Sequence, residues 1–289
     1  MTTGAGRAVF YNKPMPELPE VETIAQGVDA RVRGDRIADV WFGSHREPFK
    51  TAPRRQASGL EGCVILAVHR TGKHIVCELG RDAASSVRGQ WIVHLGMTGR
   101  LLVTTPDSPV AAHTHARLTL ASGRELRFVD PRRFGRLEFR DLDRQAGFTG
   151  PGAEPLTIGA GEFAALFRGR RLAIKAALLN QKLLAGVGNI YADESLFRAG
   201  LRPRRMAGRL TRAELERLRQ ALLEVLKHAI RLGGSSVSDY VDANGVRGFF
   251  QLEHRVYQRS GEPCMECRTP IRRIVVAGRS THYCPQCQR

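Results

Sequence analysis

Along residues 16–34 the apolar positions Val21, Ile24, Ala25, Val28 and Val32 recur at helical spacing. Pro19 suits a first turn and Gly34 a stop, so a helix is predicted there. From residue 36 to about 140 the pattern changes to short β-rich runs such as Ile75-Val76-Cys77-Glu78-Leu79 and Gln90-Trp91-Ile92-Val93-His94, punctuated by glycines. Such a series predicts a β-sandwich or an open barrel. Residues 141–162, with Gly150-Pro151-Gly152 and Glu154-Pro155, read as a linker, and helical patterning dominates beyond them. Thr211 and Glu214 have capping-box spacing, and Leu215, Leu218, Leu222, Val225 and Ile230 line one helical face until Gly233-Gly234. The organisation expected is an unstructured extension (1–15), a β-rich lobe (16–140), the linker (141–162), a helical domain (163–250) and a small cysteine-bearing tail (251–289).

With 289 residues, 42% of them hydrophobic, the chain can bury one large core or two modest ones, and two are expected. Lys and Arg number 45 against 28 Asp and Glu, a formal charge of +17. Only 6 of those cations are Lys, a bias that a GC-rich genome could impose without selection for binding. That drift accounts for Arg over Lys but not for the shortage of acids, so a polyanionic partner is expected, nucleic acid first. No apolar run approaches the roughly 18 residues of a membrane span, and no hydrophobic signal core opens the chain. A soluble, cytoplasmic protein with no membrane partner is expected.

Four of the six cysteines form two C-x-x-C pairs, Cys264 with Cys267 and Cys284 with Cys287, separated by 16 residues. This two-knuckle spacing lets four thiolates close a tetrahedron around one Zn²⁺, and four thiolates leave no open position, so the metal is expected to be structural. Arg272, Arg273 and Arg279 lie between the knuckles, where a tight ribbon could present a cation to a phosphate. Cys63 and Cys77 fall in strand-like runs and read as packing residues. In Gln181-Lys182-Leu183-Leu184-Ala185-Gly186-Val187-Gly188-Asn189-Ile190-Tyr191, two glycines join two helical stretches, and Asn189 is placed as an N-cap. The second helix then starts with free N–H groups, a ready anion site, although plain chain reversal would need the same glycines.

Together these blocks resemble the formamidopyrimidine-DNA glycosylase family over residues 16–289. Pro16-Glu17-Leu18-Pro19-Glu20-Val21-Glu22 is similar to its N-terminal signature and residues 181–194 to its helix–two-turn–helix element. His94-Leu95-Gly96-Met97, Asp130-Pro131-Arg132-Arg133-Phe134-Gly135 and the cysteine finger match its other fixed blocks in the same order. The resemblance implies an α+β, bilobal protein: an N-terminal β-sandwich with flanking helices, then a helix–two-turn–helix domain ending in a four-cysteine zinc finger. It implies a monomeric bacterial enzyme, working at the nucleoid, that excises oxidised purines from double-stranded DNA and then nicks the backbone.

The same resemblance assigns roles. Pro16 is the amine nucleophile, Glu17 the acid/base group and Glu20 a supporting carboxylate. Lys73 contacts phosphate near the lesion and is the substitute nucleophile. Met97, Arg132 and Phe134 fill the void left by a flipped nucleotide, whose unstacking costs a few kcal/mol. Without the resemblance, Met97 and Phe134 would read as core packing and Arg132 with Arg133 as a solvated charge pair. His113, Arg133, Lys175, Asn189, Tyr191 and Arg279 are implied backbone contacts, with a purely structural role equally open for His113 and Tyr191. The serine-rich stretch from Ser235 to Gly248 is implied to be a mobile loop that closes over the lesion. One departure stands out: Pro16 follows Met15 in a peptide bond, and an amide nitrogen is no nucleophile. The expectation is that translation starts at Met15 and that this methionine is removed. The alternatives are a non-catalytic DNA-binding protein that keeps the extension, and an endonuclease VIII-like glycosylase of oxidised pyrimidines. Leu18 and the complete Met97, Arg132, Phe134 set argue against the latter.

Overall fold

The computed structural model describes residues 15–237 and 240–289, so the extension expected over residues 1–15 lies, apart from Met15, outside the described residues. Helix α1 (Leu18–Val32) forms where the apolar spacing puts it. Pro19 sits in its first turn and Gly34 adopts a φ of 80° just past its end. Then come β1 (Ile37–Phe42), α2 (Pro53–Leu60), β2 (Val64–Thr71), β3 (His74–Gly80), β4 (Gly89–His94), β5 (Arg100–Thr104), β6 (Thr114–Leu120), β7 (Glu125–Val129) and β8 (Arg136–Asp141). The β-rich reading passes over α2 because little of it is apolar toward the core. Of its residues Gln56 and Leu60 are buried, and Gln56 acts as a polar plug, accepting from Trp91 Nε1 at 3.1 Å and donating to the Thr51 carbonyl at 2.7 Å.

The strands pair antiparallel into two separate sheets, ordered β1-β6-β7-β5 and β2-β3-β4-β8, which settles the architecture as a sandwich rather than a barrel. Ile75, Cys77, Trp91, Val93, Leu101, Leu118, Phe128 and Leu137 fill the space between them, and Val21, Ile24, Ala25, Val28 and Val32 of α1 close the core. Each fully buried aliphatic side chain stabilises the lobe by about 1.5–3 kcal/mol.

A second core belongs to α3 (Ala160–Phe167), α4 (Ile174–Leu179), α5 (Asn189–Arg198) and α6 (Arg212–Arg231), with Phe163, Phe167, Leu178, Tyr191, Leu218, Leu222, Val225 and Phe250 inside. The capping box of α6 is present: Thr211 Oγ1 accepts from the Glu214 N–H at 3.2 Å, and the Glu214 carboxylate accepts from the Thr211 N–H at 2.8 Å. Ile158 is buried in this core and α3 starts at Ala160, so the later part of the stretch read as a linker packs with the helical lobe. The tail folds as the hairpin of β9 (Arg272–Val276) and β10 (Arg279–Tyr283) around a small core of Phe197, Val256, Cys264, Ile271 and Cys284.

The lobes meet at α1. Leu18 is buried in the helical core, while Val21, one turn on, is buried in the sandwich core. Within the stretch read as a mobile loop, Ser238 and Asp239 lie outside the described residues. Tyr240 and Ala243 are buried against the sandwich, and the Ala243 carbonyl accepts from the Val103 N–H at 3.1 Å. Composition overlooks this anchoring because two apolar residues flanked by polar ones carry no periodic signal.

Candidate active site and nucleic-acid interface

The start of α1 is pressed into the glycine turn ahead of α5. The Leu18 N–H donates to the Gly186 carbonyl at 3.0 Å, and a Cβ on Gly188 would lie 2.1 Å from Cδ of Glu17. Gly186, at φ 87°, and Gly188 are therefore needed for close approach as well as for chain reversal. Glu17, buried, aims its carboxylate at the N-terminus of α5, where Oε1 accepts from the Ile190 N–H at 3.2 Å and Oε2 lies 3.5 Å from the Tyr191 nitrogen. This corrects the reading of that helix start as a free anion site. The N-cap is Gly188 rather than Asn189, and the acceptor already there is a carboxyl from the other lobe.

Burial pushes the Glu17 carboxyl up to about 7, against the pull of Lys73 and with the push of Glu20. Glu20 is buried too and ties three elements together: it accepts from the Glu17 N–H at 2.8 Å, the Ser235 N–H at 2.7 Å and the Tyr191 hydroxyl. Lys73 stands on the two-residue turn between β2 and β3, whose Gly72 abuts Ala185 of the glycine turn. Burial lowers its ammonium pKa, Glu17 and Glu20 raise it, and Arg279 of the tail hairpin lowers it. Pro16, Glu17, Lys73 and Arg279 are thus gathered from α1, a β-hairpin and the tail. Pro16 is buried and Arg279 exposed.

Met97, Arg132 and Phe134 come together on two adjacent loops of the sandwich. Asp130, fully buried, organises them: its carboxylate accepts from Thr98 Oγ1, the Arg132 N–H at 3.3 Å and the Gly135 N–H at 2.8 Å. Gly96, at φ 61°, lets the Met97 loop touch the Phe134 backbone, where a Cβ would sit 2.5 Å from the Phe134 carbonyl carbon. Phe134 is 47% exposed, with the Arg132 guanidinium 4.6 Å from its ring centre. A half-exposed ring stacked on a cation is not core packing. His113 and Arg133, both exposed, flank the same loop, the His113 carbonyl accepting from the Asp130 N–H at 3.0 Å.

One expected backbone contact, Lys175, is corrected, and of the two roles open for Tyr191 its burial favours the structural one. Lys175 is fully buried with Nζ 2.6 Å from Asp193 Oδ1, and Tyr191 is fully buried with its hydroxyl on Glu20, so neither reaches a phosphate from these positions. Asn189 is half-buried and donates to the Ser280 carbonyl at 2.9 Å. Asp130, Asp193 and Glu194 go unassigned in the sequence reading. Two acids inside the apolar run Ile190-Tyr191-Ala192-Asp193-Glu194-Ser195-Leu196-Phe197 are the signal that could have found the latter pair.

In the tail the sulfurs of Cys264, Cys267, Cys284 and Cys287 lie within 4.8 Å of one another, with Cys264 to Cys287 at 3.9 Å and Cys267 to Cys284 at 3.4 Å. Tetrahedral Zn–S bonds of about 2.3 Å put sulfurs about 3.8 Å apart, so the set fits zinc. The Cys264→Ser variant is expected to lose the metal, leave the sandwich folded and weaken DNA binding at least about tenfold, because the Arg-rich β9–β10 hairpin is no longer held. Metal analysis with DNA titration checks this, and full affinity in zinc-free protein would contradict it.

Three family models match in order: the formamidopyrimidine-DNA glycosylase N-terminal domain over residues 15–137, the formamidopyrimidine-DNA glycosylase H2TH domain over 150–241, and the zinc finger found in FPG and IleRS over 261–289. A formamidopyrimidine-DNA glycosylase of Solibacter usitatus is 46% identical over 276 residues, 95% of this chain and 100% of that protein. Among solved structures, Lactococcus lactis Fpg with abasic-site DNA is similar at a TM-score of 0.82 and 34% identity, over 94% of this chain and 99% of that one. A MutM complex with DNA containing carbocyclic 8-oxo-G is similar at 0.82 and 34%, over 95% and 100%.

Proposed function

The chain belongs to the formamidopyrimidine-DNA glycosylase family, and on that premise we propose how its residues divide the work of a zinc-containing base-excision repair enzyme. It is a DNA glycosylase with one structural Zn²⁺ on Cys264, Cys267, Cys284 and Cys287. Its substrate is duplex DNA carrying oxidised purines. One chain supplies both lobes, the turn and the finger, so it works as a monomer, on the nucleoid in the cytoplasm. Among the described residues no helix is long and apolar enough to cross a membrane.

In this reading the Pro16 nitrogen attacks C1′ of the flipped nucleotide. The C1′–N bond breaks and the base leaves with a proton; the C1′–O4′ bond then opens with a proton going to O4′, which leaves the iminium. Glu17 gives its proton to the departing base, takes up the proton that the Pro16 nitrogen loses and passes it to the sugar-ring oxygen, and Glu20 fixes Glu17 and the start of α1. β- and δ-elimination then break the two flanking phosphodiesters. Lys73 and Arg279 hold phosphate beside the sugar, with Asn189, His113 and Arg133 along the backbone. The observation that carries this reading is the buried Glu17 carboxyl at the junction of the lobes, one residue from Pro16, where burial raises its pKa against the pull of Lys73. A residue whose pKa lies close to the working pH is matched to proton transfer.

Arg132, Phe134 and Met97 enter the space the base vacates, the guanidinium bonding the widowed partner base. The Asp130 clasp supports this, since it fixes the loops before DNA arrives. Arg132→Ala is expected to weaken binding to duplex carrying 8-oxoguanine by about 1–3 kcal/mol, roughly five- to 150-fold in Kd. Binding to undamaged duplex, which keeps its base pairs, should change far less. Equal losses on both duplexes would remove Arg132 from the reading head. A second reading, a DNA-binding protein without chemistry, is favoured by one observation: in the chain as written the Pro16 nitrogen is an amide.

A further inference from the structure

Lys175 stands in the first turn of α4, its side chain fully buried, and its ammonium group has three polar contacts. Nζ pairs with Asp193 of α5 at 2.6 Å and donates to two groups of β10, the Ser280 carbonyl at 2.9 Å and Thr281 Oγ1 at 2.8 Å. Asn189 donates to the same Ser280 carbonyl at 2.9 Å. Asp193, also fully buried, accepts from the His282 N–H at 2.8 Å. The adjacent Glu194 accepts from the backbone N–H groups of Arg255, Val256 and Tyr257 at 2.9–3.1 Å, where the chain runs toward the finger. Two neighbouring acids of α5 therefore grip the tail at both ends, and the residue before the doubly held Ser280 is the exposed Arg279.

Buried ion pairs seldom add net stability over apolar replacements. What this one fixes is register, because it bonds to one carbonyl and one hydroxyl of β10. Reaching DNA would require Lys175 to break three contacts and strand Asp193 as an unpaired buried charge.

We infer that Lys175 is a positioning residue: with Asp193 and Asn189 it clamps the Ser280 carbonyl and so aims Arg279 at the phosphate beside the lesion. The inference rests on the reading of Arg279 as a phosphate contact. Its test is a double-mutant cycle on zinc-loaded, full-length protein binding a duplex with a tetrahydrofuran abasic analogue, over about 50–200 mM salt. The variants are Arg279→Ala, the charge-free pair Lys175→Met/Asp193→Asn, whose Asn keeps an oxygen for the His282 N–H, and the triple combination.

The pair and Arg279→Ala are each expected to reduce the log–log salt slope by about 0.9, one phosphate's worth. The triple variant should equal either one, with one zinc per chain in all. Additive slopes, about 1.8 in the triple variant, would mean that Lys175 holds a phosphate of its own and would overturn the inference. An unchanged slope in the pair would also overturn it. So would loss of zinc from the pair, since Lys175 and Asp193 would then hold the tail together rather than aim Arg279. If Arg279→Ala alone leaves the slope unchanged, the reading of Arg279 fails instead, whatever the pair does.

Discussion

Glu17→Gln is expected to lower base excision by about a hundred- to ten-thousandfold while leaving lesion binding intact. Gln keeps the shape and an oxygen for the Ile190 N–H, so the seam between α1 and α5 survives. What it removes is the titratable proton. Because burial holds the carboxyl up to about 7, wild-type Glu17 carries that proton below neutrality and gives it up above. Excision should therefore fall as pH rises through about 7. A phosphate brought close by the substrate raises the break and a protonated Pro16 amine lowers it, so the two shift it in opposite directions. Single-turnover base release across pH checks both parts. A Gln variant that excises normally, or a wild-type profile flat through neutrality, would take Glu17 out of the chemistry.

Much of the fold is legible in the sequence because the signals are local. Val21, Ile24, Ala25, Val28 and Val32 trace α1, Thr211 and Glu214 mark the start of α6, and the cysteine spacing alone specifies a four-sulfur cluster. Where a structural requirement is set by distant chain, the sequence is silent. Gly186 and Gly188 read as a turn for phosphate, whereas they leave room for Leu18 and Glu17, some 170 residues away. No window of sequence contains both partners.

The reading of Lys175 as a DNA-backbone contact fails for the same reason, and the choice left open for Tyr191 could not be made from sequence. Their partners Asp193 and Glu20 turn a cation and a phenol inward, and only the assembled lobes show it. Met97, Arg132 and Phe134, by contrast, sit in short blocks whose order along the chain carries the resemblance. Asp130, which gathers those blocks, lies within one of them yet offers no cue to its role, since a carboxylate bonding backbone N–H groups looks like any loop acid until the loop is folded.

The second large effect concerns the amine. A protein beginning at Pro16 has a secondary amine at the lobe junction, beside Glu17 and within the field of Lys73. That nitrogen has a lone pair to give to C1′, and its iminium acidifies the neighbouring sugar proton for elimination. In a chain that keeps Met15 the lone pair is delocalised into the carbonyl, and no iminium can form there. The difference should be close to all or none, larger than any side-chain substitution produces. Lys73, its pKa lowered by burial, is a competing amine in the cluster. Borohydride reduction during reaction with 8-oxoguanine duplex, followed by peptide mass mapping, separates the two. The expected result is a covalent adduct on Pro16 in protein starting at that residue and none in protein retaining residues 1–15. Equal trapping of both forms, with the adduct on Lys73, would contradict the proline assignment and move the chemistry to the β2–β3 turn.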